Sequence, residues 1–225
     1  MLSKFVVGLC GALMGSAPLV AAAQSSSSIP LPEPRLDSDH SIESTLRKRR
    51  TIRDIAEVPI TLANLGQLLW AAQGITSPQG LRTAPSAGAL YPLEIYVLVG
   101  NVEGMAPGLY RYQPRQHRLV LRHDGDLRAE LAQVAVNQSW VARNAAVIAF
   151  CAVFSRTTKK YGSRGERYVF IEVGHAAQNV LLQAQSLGLA AGVVGAFKDR
   201  VLDTLLKLPR GERALYLVPV GKPEP

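Results

Sequence analysis

The stretch PSAGALYPLEIYVLV, residues 85–99, contains a constrained loop that leads directly into a strand. Pro85 and Pro92 restrict the backbone at the two ends of the loop. Three of the residues between them are small: Ser86, Ala87 and Gly88. Small side chains let a flat ring approach the backbone, and the Ser86 hydroxyl adds a hydrogen-bond donor. An ordinary strand-entry loop has a similar composition, so this stretch alone leaves both interpretations open.

The segments around this loop have alternating helical and strand patterns. Apolar spacing and capping residues predict helices over 41–48, 61–74, 126–134, 166–187 and 199–206. Apolar runs and period-two alternation predict strands over 93–99, 108–112, 118–122, 145–154 and 215–220. Because two of these strands are expected to form a hairpin, the pattern favours an α+β fold with a mixed sheet over a doubly wound parallel one.

The N-terminal residues have the pattern of a secretory signal peptide. Lys4 gives a short positive region, Phe5–Val20 is almost wholly apolar, and Ala21–Ala23 supplies small residues for cleavage. The apolar run is short for a membrane span, and an uncleaved anchor is the alternative. The sequence therefore predicts a signal peptide over residues 1–23 and a periplasmic or secreted protein without stable membrane insertion.

A serine- and proline-rich segment follows and predicts a flexible tether over residues 24–36. Residues 37–225 are enough to form one domain with a real core. Only Cys151 lies in this domain, so no disulfide can form within it and the fold must depend on packing.

The chain is basic, with 25 Lys and Arg residues against 17 Asp and Glu and a formal net charge of +8. Such a balance can attract nucleic acid or anionic polymers. However, the sequence after the signal peptide has no nucleic-acid-binding motif and no long basic amphipathic helix, so we expect no nucleic-acid partner.

Part of the positive charge is concentrated in Arg49-Arg50-Thr51-Ile52-Arg53, just after the first predicted helix. Guanidinium groups bind phosphate in a bidentate manner and can also hydrogen-bond a polyol or ring oxygens. The alternative is a solvated basic turn, since charged clusters usually face water.

Lys160 and Tyr161 lie together in a predicted turn and form a candidate proton-transfer pair, unless the segment is simply an exposed basic loop. Glu172 and His175 have a spacing that occurs in some di-iron sites, but the sequence lacks the further carboxylates and the second motif, so we expect no metal. The segment 192–195 offers backbone amides between two glycines that could donate to a bound ring.

In order and spacing, these segments together resemble the SagB/ThcOx branch of the nitroreductase family over Ser44 to Pro223. The most specific parts are Arg49 to Arg53, Pro85 to Tyr96, Gly108 to Tyr112 and Glu172 to Asn179. The resemblance implies a nitroreductase-like α+β fold, in which a mixed central sheet is flanked by helices. It also implies a domain-interleaved homodimer with FMN bound at the subunit interface.

The resemblance also implies roles for individual residues. The residues that match the family's contacts to the FMN phosphate, ribityl chain and ring edge are Arg49, Arg50, Thr51 and Arg53. Those that match the loop reaching the flavin from the second subunit are Pro85, Ser86, Ala87 and Gly88. Val194 and Gly195 match the segment near flavin N5, and Lys222 is the candidate for the basic residue that follows the final strand. Lys160 and Tyr161 match a pair that azoline-oxidising members are thought to use for proton abstraction.

We therefore expect an exported FMN-dependent oxidoreductase that transfers a hydride between an organic substrate and flavin N5. An azoline-like heterocycle is one candidate substrate, and the electron donor or acceptor is unknown. One alternative is an FMN-dependent quinone or nitro reductase in which the Lys-Tyr pair is structural. Another is a non-catalytic exported binding protein that retains the fold.

Overall fold

The computed structural model describes Met1 and residues 28–225. Apart from Met1, the predicted signal peptide lies outside the described residues, as does the start of the predicted tether. The helices are α1 Ile42–Lys48, α2 Leu62–Gln73, α3 Arg128–Val134, α4 Trp140–Arg143, α5 Ser155–Tyr161, α6 Arg164–Ser186 and α7 Asp199–Leu205. The strands are β1 Ser28–Pro30, β2 Ile55–Ala56, β3 Leu93–Val99, β4 Gly108–Gln113, β5 Arg118–Asp124, β6 Ala146–Val153, β7 Ala190–Ala191 and β8 Glu212–Pro223. None of the helices in the described part is both long and apolar enough to span a bilayer.

The strands form one sheet with the order β1-β5-β4-β3-β6-β8-β2, and β7 pairs with β8. The predicted α+β architecture is confirmed, but all of the strand pairs are antiparallel, so the sheet is not mixed as expected. The short connections between β3, β4 and β5 explain part of this arrangement, because a parallel pair needs a longer crossover. Within residues 28–225, the one parallel pairing is an isolated bridge between Ile60 and Val102.

Helices cover both faces of the sheet, as the central strand β6 shows. Ile148 and Phe150 belong to the core that also contains residues of α2 and α6. Val147 and Ala149 belong to the core that contains residues of α3, α4 and α7. Successive side chains of a strand point to opposite faces, so the apolar run of β6 suits a strand that is buried on both sides.

The packed domain begins earlier than predicted. β1 pairs with β5, Leu31 is buried, and the Leu31 amide donates to the His117 carbonyl at 3.0 Å. The predicted flexible tether is therefore wrong for Ser28–Pro30 and Leu31. The composition suggested a solvated linker, but the edge of β5 offers unpaired backbone groups that this segment satisfies.

Candidate active site

The arginine-rich segment 49–53 lies at the edge of the sheet, after α1. The Ile52 amide donates to the Ala191 carbonyl at 3.1 Å, and the following residues pair with β8 as β2. Arg49 is half-buried, and three of the predicted contacts are exposed: Arg50, Thr51 and Arg53. None of the arginines in this segment pairs with a carboxylate within residues 28–225. Arg50 Nη1 donates to the carbonyls of Arg47 and Arg49, and the Arg53 guanidinium lies over the Trp140 ring. The remaining N–H groups of the segment can bind an anion.

Lys222 and the segment 192–195 lie beside the arginine-rich segment. Lys222 is exposed on β8, where this strand pairs with β2. A Cβ on Gly192 would lie 3.2 Å from Thr51 Cγ2 and 2.9 Å from the Trp140 ring, so this approach requires a glycine. The structure thus brings three of the predicted cofactor-binding elements to one edge of the sheet.

Val194 uses its backbone to extend the sheet. Its amide donates to the Leu217 carbonyl at 2.9 Å, and the Leu217 amide donates to the Val194 carbonyl at 3.1 Å. The expectation that the Val194 amide is free to donate to a ring is therefore wrong, because this bridge already uses it. Gly195 is exposed, and its amide makes no hydrogen bond to the described part of the chain, so Gly195 is the better donor candidate.

A second group of predicted residues meets at Gly88. This glycine lies in a short 3₁₀ turn, Ala87–Ala89, with a left-handed φ of 63°. A Cβ on Gly88 would lie 2.8 Å from Tyr161 Oη and 3.1 Å from Lys160 Nζ. The loop that is predicted to contact the cofactor therefore packs directly against the predicted proton-transfer pair.

The Lys-Tyr pair lies in a helix rather than in the predicted turn. Lys160 and Tyr161 are the last two residues of α5, and Gly162 follows with a φ of 59°. The two lysines and the glycine suggested a turn, but only the helix end is irregular. The Tyr161 ring packs edge-to-face on Tyr168 of α6, with 5.2 Å between the ring centroids, which fixes the position of its hydroxyl.

Tyr91 at the end of the loop is held from three sides, with an unusual left-handed φ of 45°. Its amide donates to Ser86 Oγ at 2.9 Å, and its carbonyl accepts from Arg156 Nη1 at 3.0 Å. The Arg82 guanidinium lies 4.4 Å from the centre of its ring. Arg156 also pairs with Glu94 of β3, so α5, the loop and the sheet are tied together.

A cavity of about 280 Å³ lies between the loop and α6. Its lining consists of Pro85, Ser86, Ala87, Tyr168, Ile171, Glu172 and His175. Glu172 is only 3% exposed, and its Oε1 has no hydrogen-bond partner in the described residues. Burial raises the pKa of Glu172 to about 7, although a hydrogen bond with Ser86 and the charge of Arg82 oppose this rise.

Several of these residues were missed from the sequence. The sequence indicates no role for Arg82, Tyr91 and Arg156, although Arg82 lies just upstream of the loop and Arg156 precedes the Lys-Tyr pair. Their positions alone were a weak signal, because only the fold shows that they converge on one loop.

The two groups of site residues stay separate within one chain. No hydrogen bond or ion pair joins the arginine-rich edge to the group around Gly88 within residues 28–225. Each group therefore has only part of the chemistry that a phosphorylated, ring-containing cofactor requires.

Comparison with known proteins identifies the family. The model of the nitroreductase family matches residues 46–222, which is most of the chain. The chain belongs to the nitroreductase family. The predicted nitroreductase-like fold is confirmed, and so is the family to which the sequence was assigned.

Several known proteins are similar to this nitroreductase-family chain over most of its length. A Methanocaldococcus jannaschii protein, provisionally named a nitroreductase, is 46% identical over 80% of this chain and 90% of its own length. A solved structure from Ralstonia eutropha, also provisionally named a nitroreductase, has 30% identity and a TM-score of 0.78, covering 94% of this chain and 97% of that one. The microcin B17-processing protein McbC of Escherichia coli is 26% identical over 71% of this chain, which spans 61% of McbC. The match to McbC supports the SagB-type branch of the family.

Proposed function

We propose that this nitroreductase-family chain is an FMN-dependent oxidoreductase of the SagB type, in which Lys160 and Tyr161 move the substrate proton. The observation that carries the proposal is the contact at Gly88, where the predicted cofactor loop meets this pair. A structural Lys-Tyr pair would have no need to adjoin that loop.

The residues of this chain fit FMN. The guanidinium groups of segment 49–53 have no carboxylate partners in the described residues, and Lys222 lies at the same edge. Gly195 is exposed and its amide makes no hydrogen bond within residues 28–225, so a flat ring can approach its backbone. When bound, FMN would supply the centre that accepts or donates a hydride.

The roles of the protein groups follow from their chemistry. The arginines and Lys222 would bind the phosphate and the ribityl chain, and the Gly195 amide would donate to the ring. Oxidation of an azoline-like ring to an azole converts a ring C–C single bond to C=C, with loss of a proton from one carbon and a hydride from its neighbour, and Lys160 or Tyr161 would take the proton. The Tyr161–Tyr168 contact would keep the hydroxyl in place during this transfer.

We further propose that the active form is a homodimer. The arginine-rich edge and the Gly88 group do not meet within one chain, and α6 has exposed apolar side chains at Phe170 and Ile171. A second copy could cover this face and bring its Gly88 group to the first copy's arginines. Large exposed apolar side chains next to a small residue, Gly174, suit such a contact.

The test of the proposed function begins with the absorption spectrum of the purified protein and identification of any released cofactor. FMN in a ratio of about one per chain is the expected result, with the dimer observed by light scattering. Colourless protein that fails to bind added FMN would overturn the proposal.

A second candidate is a quinone or nitro reductase, which the names of the Methanocaldococcus and Ralstonia relatives favour. Lys160→Gln discriminates between the two. In a SagB-type dehydrogenase the substitution should abolish substrate oxidation, whereas turnover of a quinone with a reduced nicotinamide should change little.

We also propose that the protein is exported, from the pattern of residues 1–23 alone. An exported enzyme lacks the nicotinamide pool of the cytosol, so its electrons would pass to oxygen, a quinone or a protein. Mass spectrometry of the N-terminus of the protein from its producing cell tests this proposal. A cytosolic protein with an intact N-terminus would contradict it.

A further inference from the structure

Three residues at the arginine-rich edge of the sheet converge on one aromatic side chain, Trp140. The Arg53 guanidinium lies 5.5 Å from the centre of the Trp140 ring. Gly192 approaches the same ring so closely that a Cβ there would lie 2.9 Å from Trp140 Cη2 and 3.2 Å from Thr51 Cγ2. Trp140 belongs to the short helix α4, which the sequence did not predict and to which the family resemblance assigns no role.

The Trp140 indole is held at both of its ends. Its Nε1–H donates to Gln138 Oε1 at 3.3 Å. The other end of the ring abuts Gly192, and the side chain is only 8% exposed, in the core that also contains Val141 and Leu217. A ring that is held in this manner cannot follow the movements of a longer side chain, so Arg53 takes its orientation from Trp140.

The Arg53 side chain has no other polar partner in the described residues. It is exposed, and its guanidinium makes no ion pair or hydrogen bond within residues 28–225. Its carbonyl accepts from Arg143 Nη2 at 3.4 Å, which holds the backbone rather than the side chain. A long side chain loses conformational freedom when it binds a ligand, and a cation–π contact that already exists reduces this loss.

The contact with Trp140 also preserves the hydrogen-bonding capacity of Arg53. An indole ring attracts the guanidinium charge without offering an oxygen acceptor, so the N–H groups of Arg53 can still donate to a ligand. A carboxylate partner would instead compete with an anionic ligand for the same donors.

We propose that Trp140 is a positioning residue of the cofactor site, and that its indole orients the Arg53 guanidinium towards FMN. The inference rests on the proposed function, because it concerns how the same cofactor is held. Trp140 would act through Arg53 and would not itself contact the cofactor. A tryptophan suits this role, since its ring attracts a cation more strongly than the ring of tyrosine or phenylalanine does.

A purely structural role for Trp140 predicts a different pattern of effects. The loss of a core side chain lowers stability whichever residue stands at position 53. A positioning residue acts through its partner, so its loss should change cofactor affinity only while that partner is present. A double-mutant cycle of Trp140 and Arg53, with FMN affinity as the measured quantity, therefore separates the two roles.

The experiment measures the FMN dissociation constant by ultrafiltration of a dilution series of the full-length purified holoprotein. We expect Trp140→Leu to weaken FMN binding about tenfold, and Trp140→Phe to weaken it only about threefold, because the smaller ring retains part of the cation–π contact. In an Arg53→Ala background, the further change Trp140→Leu should weaken binding less than about twofold. Leu202→Ala is the matched control, since it truncates a fully buried side chain of the same core and should lower stability without changing affinity.

Equal FMN affinity of folded Trp140→Leu and wild type would overturn the proposal. Equal losses of affinity with and without the Arg53 side chain would overturn it as well. If Trp140→Leu fails to fold, Trp140→Phe in the two backgrounds supplies the same cycle. Wild-type protein that binds no FMN refutes the proposed function as a whole, whereas FMN-binding protein without coupling between the two residues refutes only the role of Trp140.

Discussion

Gly88 and Tyr161 are in direct contact, so close that a Cβ on the glycine would lie 2.8 Å from the tyrosine hydroxyl. The contact joins a loop that precedes β3 to the end of α5. It requires both a left-handed backbone and the absence of a side chain at residue 88. The loop before β3 and the end of α5, which are far apart in the sequence, thus form one surface.

Gly88→Ala should reduce turnover strongly, because the new methyl group displaces Tyr161 and Lys160. The left-handed φ adds a stability cost of about 1–2 kcal/mol. Gly104→Ala is the matched control: its φ is 75°, but a Cβ there has nothing within 4 Å. Gly104→Ala should lose only the stability that the backbone conformation costs, and Gly88→Ala should lose at least as much in thermal unfolding. Only Gly88→Ala should lose activity. Equal activity of the two variants would contradict a role for the contact.

Arg156→Ala should lower turnover by about tenfold to a hundredfold, because Tyr91 and Glu94 lose the side chain that ties them to α5. The Arg156 side chain is 39% exposed, so the free energy of unfolding should change by less than about 1 kcal/mol. Arg118→Ala, which removes a hydrogen bond to Gln113 on β4, provides the control. Steady-state kinetics and denaturant unfolding check both statements, and parallel losses of activity and stability would argue for a purely structural role.

Arg49→Ala should weaken FMN binding about tenfold or more, since one charge-assisted hydrogen bond to phosphate is lost. Arg115→Ala removes the same charge from an exposed position between β4 and β5 and should leave affinity unchanged. Fluorescence titration of cofactor-free protein measures both dissociation constants. If the two variants lose affinity equally, the effect is one of net charge and the assignment of Arg49 is wrong.

Local signals predicted five of the seven helices in residues 28–225 and missed the short helices α4 and α5. The pairing of strands that are distant in the sequence could not be predicted. Ser41 and Thr61 accept hydrogen bonds at the starts of α1 and α2, and both helices follow the predicted pattern. The pairing of β6 with β8 is antiparallel, and no local pattern indicates it. The bridge between Val194 and Leu217 could not be predicted for the same reason, because it also depends on where β8 lies in the sheet. The sequence also did not indicate that Glu172 is buried, since its burial depends on the loop that contains Ser86.

Stability should fall as pH rises from about 4.5 to about 7, in part because of Glu172. The pKa of its carboxyl is raised from 4.5 to about 7 in the folded protein, so the folded state keeps the proton that the unfolded chain has lost. The resulting stability is fully present below pH 4.5 and is lost as pH rises through about 7, and amounts to up to about 3 kcal/mol.

Glu172→Gln, which retains the shape without the charge, should flatten this part of the stability profile. The measurement is urea unfolding of cofactor-free protein at pH 4.5, 6 and 8. His175→Asn is the control, because it removes the ionisable side chain that lies one turn along α6. If Glu172→Gln has the same slope as wild type while His175→Asn is flat, the histidine is responsible and Glu172 is ionised throughout.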